Sequence, residues 1–281
     1  MSHNNTGGIP GPFMVDCGVN FGRRRYTSKV VCSELESARV AGVNAVISMS
    51  STPREWAPNR LRARQHPGKV FYTAGVHPLH ARTCPDDEDT FRRLLEEHCR
   101  DAGGLCVAVG ECGLDYDAGT DAAEVALQHR VFTAQVNTAR DLEMPLYLHC
   151  RGRAAWCDFR DIIDAAGYTC GVIHCFTGTR VDAVWALRVG FHLGITGWLL
   201  DDARNADLLD AMTVLPLHRV LLETDSPYLP VVPGKPFSEP ADVVLVAARV
   251  GILHGIDTLT CLQVTAANAR RLFRLPPPHL E

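Results

Sequence analysis

The stretch Val107-Ala108-Val109-Gly110-Glu111 is a short apolar run that stops on a carboxylate. Three later stretches end in the same way, on an imidazole or a carboxylate: Pro145-Leu146-Tyr147-Leu148-His149, Gly171-Val172-Ile173-His174 and Val220-Leu221-Leu222-Glu223-Thr224-Asp225. Such runs predict buried strands. If the strands are parallel, their carboxyl ends bring the terminal side chains to one face. The pattern therefore predicts a divalent-metal site, with the ligands Glu111, His149, His174 and Asp225.

The rest of the chain repeats this order of strand and then helix. We predict strands over residues 13–20, 43–48, 70–76, 105–111, 145–149, 171–174, 192–196 and 220–225. Helices are predicted over 33–40, from Pro53 onward, and over 86–100, 121–142, 155–166, 181–189, 206–212, 241–254 and 259–273. Eight such units predict a single-domain α/β fold, the (β/α)₈ TIM barrel, over residues 13–281. An open doubly wound sheet is the alternative, but the chain lacks its glycine-rich phosphate turn.

Composition excludes several classes of protein. Of the 281 residues, 46% are hydrophobic and 21% charged, which suits one sizeable core. We find no apolar run of the ~18 residues that a membrane span needs and expect no membrane partner. Residues 1–12 are polar and rich in Gly and Pro, unlike a signal peptide, and we predict a disordered leader. The cytoplasm is then the expected compartment, with the nucleus left open, and eleven cysteines are expected without structural disulfides.

Net charge sets a limit on how phosphates are bound. At −4, the chain is unlike proteins that coat nucleic acid by charge alone. A phosphate partner must therefore be held by a local patch or by the metal ion. His77 ends the third predicted strand and can donate to a phosphate oxygen, while Asp225 can both ligate metal and accept a proton from water. Glu223 precedes Asp225 by two residues, so strand periodicity places it on the same face, where we expect it to orient a ligand.

Seven motifs run in order along the chain and together carry a family resemblance. They are Asp16-Cys17-Gly18-Val19-Asn20, Ala74-Gly75-Val76-His77-Pro78, Gly110-Glu111-Cys112-Gly113-Leu114-Asp115, Leu148-His149-Cys150-Arg151, His174-Cys175-Phe176-Thr177-Gly178, Gly194-Ile195-Thr196-Gly197-Trp198 and Glu223-Thr224-Asp225-Ser226-Pro227-Tyr228-Leu229. With these motifs the chain resembles the TatD-type metal-dependent deoxyribonucleases, which are amidohydrolase-like TIM barrels. The resemblance covers nearly the whole chain.

The resemblance implies a metal-dependent deoxyribonuclease that hydrolyses DNA phosphodiester bonds with metal-activated water. A 3′–5′ exonuclease acting on single strands or frayed ends, in DNA degradation or repair, is the expected form. The family's metal ligands map onto the four strand-end residues above, its substrate-phosphate histidine maps onto His77, and Arg151 is placed to hold phosphate. DNA is the expected partner and the monomer the expected state. A small-molecule ester, amide or phosphoester hydrolase, or a binding protein with a vestigial site, are the alternatives.

Two departures from the family pattern bear on the cofactor. Many relatives begin with Asp-x-His-x-His, whose histidines hold one ion, but Gly18 and Asn20 stand at those positions. We therefore expect one firmly bound divalent ion, with a second held loosely. The ion can be Mg²⁺, Mn²⁺ or Zn²⁺, since imidazole and carboxylate tolerate all three. The late loop reads Lys235-Pro236-Phe237-Ser238-Glu239-Pro240, where relatives carry an Arg-Asn-Glu-Pro-like segment, so its substrate contacts are not transferred.

Overall fold

A computed structural model describes residues 13–100, 103–117 and 119–276. Its eight strands form one parallel sheet in chain order, each pairing with the next. They are β1 (Met14–Val19), β2 (Val43–Ser48), β3 (Val70–Ala74), β4 (Cys106–Asp115), β5 (Leu146–Arg151), β6 (Gly171–Ile173), β7 (His192–Ile195) and β8 (Val220–Leu222).

The two edges of this sheet meet just beyond the ends of β1 and β8. The amide of Asn20 donates to the carbonyl of Ser226 at 2.8 Å, and the amide of Asp225 donates to the carbonyl of Gly18 at 2.8 Å. Val19 and Ser226 also form a parallel bridge. The sheet is therefore closed, and the predicted (β/α)₈ barrel is confirmed.

Helices cover the outside of the barrel. They are α1 (Ser28–Val40), α2 (Pro53–Gln65), α3 (Glu88–Arg100), α4 (Ala122–Asp141), α5 (Ala155–Ala166), α6 (Arg180–Val189), α7 (Ala206–Met212), α8 (Val243–His254) and α9 (Thr258–Phe273). As predicted, α5 and α6 end on left-handed glycines, Gly167 and Gly190. The start of α1 was predicted too late, because the Thr27 side chain caps the helix by accepting the amide of Val30.

The observed strand ends differ most from the predicted ones at the carboxyl ends of β4 and β8, next to the candidate site. The predicted strand 220–225 was too long, because β8 stops at Leu222. Asp225 adopts a left-handed backbone conformation, with φ 58°, which is incompatible with a β-strand. The predicted strand 105–111 was too short, because β4 runs on beside β5 to Asp115. Glycine allows this approach, since a Cβ on Gly113 would lie 1.8 Å from the carbonyl oxygen of His149. The predicted leader, 1–12, lies outside the described residues.

One end of the barrel is closed by the last helix. Phe273 of α9 packs 6.4 Å from the ring of Tyr147, within a buried cluster that takes residues from seven of the strands. Within the described residues, no single helix is long and apolar enough to cross a membrane. Two consecutive helical segments, Pro240–His254 and Thr258–Phe273, together have the length and composition of a span, but they are bent by 103° relative to each other. The opposite end of the barrel, at the carboxyl ends of the strands, holds the cavity described next.

Candidate metal centre and cavity

A cavity of about 610 Å³ lies at the carboxyl ends of the strands. The end of every strand, or the segment that follows it, contributes to its wall: Asn20, Ser51, His77, Glu111, His149, His174, Trp198 and Asp225. The structure thus places all the predicted ligands, together with His77 and Arg151, around one cavity. The volume falls within the ~300–1,000 Å³ of small-ligand pockets.

Glu111 is the centre of this arrangement. Its Oε1 lies 3.1 Å from His149 Nδ1, 3.2 Å from His174 Nε2 and 3.5 Å from His77 Nε2. The Ser51 hydroxyl donates to Oε2 at 3.3 Å. Burial alone would raise the pKa of Glu111, but the surrounding imidazoles outweigh burial and hold that pKa well below its usual range. Glu111 is therefore a carboxylate anion that faces three imidazole rings.

His174 is oriented by a buried carboxylate behind it. Its Nδ1 lies 2.9 Å from Oε2 of Glu223, and the backbone amide of Cys175 donates to the same oxygen at 3.1 Å. Glu223 is completely buried, which agrees with its predicted role as the residue that orients a ligand. Burial would lower the pKa of His174, but Glu223 and Glu111 outweigh burial and hold that pKa well above its usual range. The ring therefore carries a proton toward each carboxylate, and a divalent ion bound at Nε2 would replace the proton that faces Glu111.

His149 is oriented in the same way by Asp115. The Nε2 of His149 lies 3.2 Å from Asp115 Oδ2, and the backbone amide of Asp117 holds the other oxygen of Asp115 at 3.1 Å. Burial would lower the pKa of His149, but Asp115 and Glu111 raise it, so a proton lies between Nδ1 and Glu111 that a bound divalent ion would replace. Our sequence reasoning gave Asp115 no role because it ended the strand at Glu111. Extending that strand by four residues would have placed Asp115 on the same face as Glu111.

His77, in contrast, is a neutral ring. Its Nδ1 accepts the backbone amide of Leu79 at 3.1 Å, so the ring proton is on Nε2, which points into the cavity. Burial lowers the pKa of His77 to about 3, and the neighbouring Glu111 opposes this shift without reversing it. Ligand atoms of His77, Glu111 and His149 lie within 4.8 Å of one another. Nevertheless, a neutral ring with a proton on Nε2 is a hydrogen-bond donor, not a metal ligand.

The oriented imidazoles show that a divalent cation fits this centre. One ring nitrogen of His149 and one of His174 face the same oxygen of the Glu111 anion at 3.1 and 3.2 Å. Electron pairs approach an anion this closely only with a proton or a cation between them. Two imidazole nitrogens and a carboxylate are a donor set for Zn²⁺, Mn²⁺ or a similar ion. His149, His174 and Glu111 therefore form a suitable metal centre.

Asp225, in the segment after β8, lines the same cavity. The side-chain amide of Asn20 donates to its Oδ1 at 3.0 Å, which fixes the carboxylate. Burial raises the pKa of Asp225 to about 6, with Glu111 adding to the rise while His174 and Asn20 oppose it. Its left-handed backbone turns the side chain out of the strand direction, a strained conformation that often marks functional sites.

The structure gives a physical reason for the departure at Gly18. A Cβ on Gly18 would lie 2.6 Å from the Tyr147 hydroxyl and 3.4 Å from atoms of Glu223. The space that a histidine would need is therefore filled by the residues that support His174. Asn20, at the other departing position, is used to hold Asp225.

Arg151 lies on the rim of the cavity, not at its floor. Its side chain is 47% exposed, and its Nε donates to Asp117 Oδ2 at 3.1 Å. Two further arginines, Arg23 and Arg204, line the same cavity and were not selected from the sequence. A basic rim thus surrounds an acidic and imidazole-rich floor.

A closed parallel barrel with such a centre at the carboxyl ends of its strands defines a metal-dependent hydrolase of the TIM-barrel class. A model of the TatD-related DNase family matches residues 15–274. The chain therefore belongs to the TatD-related DNases, and the resemblance read from the sequence motifs is confirmed.

Individual relatives cover nearly the full length of the chain. A protein of Erwinia tasmaniensis named 3′-5′ ssDNA/RNA exonuclease TatD is 36% identical over 271 residues, covering 93% of this chain and 100% of its own. A protein of the same name from Rahnella is 34% identical over 272 residues, covering 93% and 98%. In structure, a TatD homologue from Escherichia coli aligns with a TM-score of 0.83 at 23% identity, covering 94% and 98%. That last similarity shows the fold alone.

Proposed function

We propose that this protein is a metal-dependent exonuclease that hydrolyses DNA phosphodiester bonds from the 3′ end. The observation that carries the proposal is the Glu111 centre: two imidazole nitrogens converge on one carboxylate oxygen, while His77 presents an N–H to the same cavity. The relatives from Erwinia and Rahnella are named as 3′-5′ exonucleases of ssDNA and RNA, which supports the same polarity and makes RNA a second substrate to test.

Each cavity residue has a part in the proposed reaction. Glu111, His149, His174 and Asp225 would hold the divalent ion, which when bound polarises the phosphate and makes water a stronger acid. The neutral His77 ring donates its Nε2 proton to a non-bridging phosphate oxygen and stabilises the charge that develops there.

Two more groups act on the water and the phosphate. Asp225, the carboxylate with the raised pKa and a fixed position, accepts the proton that the attacking water loses. The Arg151 guanidinium on the rim holds a phosphate of the entering strand. We propose one firmly bound ion and a second that is held weakly, because Gly18 leaves no room for a further imidazole ligand.

The shape of the cavity favours single strands. A pocket of about 610 Å³ at the end of a barrel takes in a strand end, and base pairing has to be broken before a paired end can enter. Frayed or single-stranded 3′ ends are therefore the proposed substrates.

The test uses 5′-labelled oligonucleotides with purified protein and Mg²⁺ or Mn²⁺. Single-stranded DNA should shorten stepwise from its 3′ end, faster than blunt duplex, and EDTA should stop the reaction. Glu111→Ala should be inactive, whereas Glu36→Ala, an exposed change on α1 away from the cavity, should behave as wild type. The absence of EDTA-sensitive cleavage, with turnover of small esters instead, would overturn the proposal.

A further inference from the structure

We propose that Trp198 is a stacking platform for an unpaired nucleobase of the substrate strand, next to the phosphate that enters the metal centre. The proposal rests on the nuclease function above and adds to it a residue that selects for unpaired bases. It begins from the aromatic and cationic groups of the cavity rim, which the chemistry at Glu111 does not use.

Trp198 is held rigidly on the cavity wall just after β7. Its indole N–H donates to the carbonyl of Arg204 at 3.0 Å, and its backbone amide donates to Thr196 Oγ1 at 3.3 Å. The ring lines the cavity and is partly exposed. A fixed aromatic plane at a cavity mouth loses little entropy when a flat ligand stacks on it.

Two guanidinium groups lie close to this ring. The Arg204 Cζ lies 4.1 Å from the ring centroid and the Arg151 Cζ lies 5.6 Å from it. Each arginine is anchored by a carboxylate, Arg204 by Asp201 and Arg151 by Asp117. Both side chains are about half exposed, which leaves N–H groups free to reach the phosphates beside a stacked base.

This combination is the chemistry that recognises a single-stranded nucleotide. Aromatic rings and arginine planes stack on any base, and positive charge follows the backbone. A base inside a duplex has both faces covered by its neighbours, so stacking on this surface requires that any base beyond the terminal pair be unpaired first. Stacking on Trp198 thus explains how an acidic chain obtains affinity for a strand without a broadly basic surface.

Another aromatic residue on the surface provides a matched control. Phe237 is 47% exposed and also carries a stacked arginine, since the Arg25 Cζ lies 3.8 Å from its ring centroid. It is not among the residues that line the cavity. Phe237→Leu should therefore leave cleavage of every substrate unchanged.

The experiment measures kcat/KM on single-stranded oligonucleotides that carry one abasic nucleotide at successive positions from the 3′ end. In the wild type, one position should lower kcat/KM by about 5- to 160-fold, the value of stacking one base. Trp198→Ala should lose this dependence on position, and its turnover of oligonucleotides relative to bis-p-nitrophenyl phosphate should fall by a similar factor. Trp198→Phe keeps an aromatic plane but loses the bond to Arg204, and should retain the dependence on position.

Fluorescence gives a second measurement that does not depend on cleavage. Trp198 is partly exposed, whereas the other three tryptophans, Trp56, Trp156 and Trp185, are each only 6% exposed. A phosphorothioate-linked single strand should quench the emission of the wild type and not that of Trp198→Phe.

The outcomes separate the platform from the nuclease. If the wild type cleaves but no abasic position matters, or if Trp198→Ala lowers both turnovers equally, the stacking role is wrong and the nuclease function stands. If the wild type cleaves no oligonucleotide, the proposed function fails, and an unquenched fluorescence would then reject the platform as well.

Discussion

Replacing Glu223 with glutamine tests whether this residue acts through His174. The carboxylate is completely buried and does not line the cavity, so it cannot touch the substrate. In Glu223→Gln the amide oxygen can still accept the Nδ1 proton of His174 and the amide of Cys175, so the ring keeps its orientation. What the change removes is the negative charge 2.9 Å from Nδ1.

The expected magnitude follows from that loss of charge. An anion behind a histidine raises the basicity of the nitrogen on the other side of the ring, and removing such partners costs about 10- to 100-fold in metal affinity. This range corresponds to about 1.4–2.7 kcal/mol. The stability of the fold should change less than the metal affinity. The other oxygen of Glu223, Oε1, has no hydrogen-bond partner among the described residues, so the variant loses no hydrogen bond there.

Titration with Mn²⁺, followed by calorimetry, measures the affinity directly, and thermal unfolding in EDTA measures the fold. We expect weaker Mn²⁺ binding by about 10- to 100-fold with a nearly unchanged melting temperature. Wild-type Mn²⁺ affinity in Glu223→Gln would refute the argument that Glu223 tunes His174. A large fall in melting temperature in EDTA would show that the residue acts on stability instead.

Three further predictions concern other residues. Asp115→Asn should lower Mn²⁺ affinity by about 10-fold, because it removes the charge behind His149; unchanged binding in the same titration would contradict this role. His77→Ala should lower kcat by about 100-fold through loss of a donor, with Mn²⁺ affinity unchanged, and a loss of affinity would instead make His77 a ligand. Burial raises the pKa of Glu34 from its ordinary value of 4.5 to about 7. The stability that the protonated side chain contributes is therefore fully present below pH 4.5 and is lost as pH rises through 7. Glu34→Gln should therefore stabilise the fold by about 1–2 kcal/mol at pH 8 and hardly at pH 4.5, and equal effects in denaturant unfolding at both pH values would count against it.

The sequence was sufficient to predict the barrel because each strand carries its own signal. Apolar runs of four to eight residues, helical segments between them and the absence of a glycine-rich phosphate turn left one closed parallel fold as the best interpretation. Helix ends were well placed where glycine supplied a left-handed cap, as at Gly167 and Gly190. The helix start was misplaced at α1, where Thr27 caps a helix that begins at Ser28, five residues before the predicted start.

The centre was predicted less completely, for a physical reason. Residues that end an apolar run are visible in the sequence, and Glu111, His149 and His174 were found in this way. Asp115 was missed because its contact with His149 depends on the length over which β4 follows β5. The proton positions on His77 and His149 depend on which atom each ring meets, and no periodicity encodes that.

The rim was missed for a different reason. Trp198 and Arg204 lie in a segment after β7 whose conformation depends on contacts made within it, such as the bond from the indole N–H to the carbonyl of Arg204. Their approach to Arg151, which comes from β5, is a tertiary contact. A sequence read one segment at a time does not predict such a surface.

Anomalous diffraction from crystals soaked in Mn²⁺ tests the central claim most directly. At low Mn²⁺ concentration, one peak should lie about 2.0–2.3 Å from a Glu111 oxygen, His149 Nδ1, His174 Nε2 and an Asp225 oxygen, with His77 Nε2 outside its coordination shell. A second peak should appear only at high concentration. A first peak bound through His77 Nε2, or two equally strong peaks at low concentration, would contradict the assignment of protons and ligands on which this account rests.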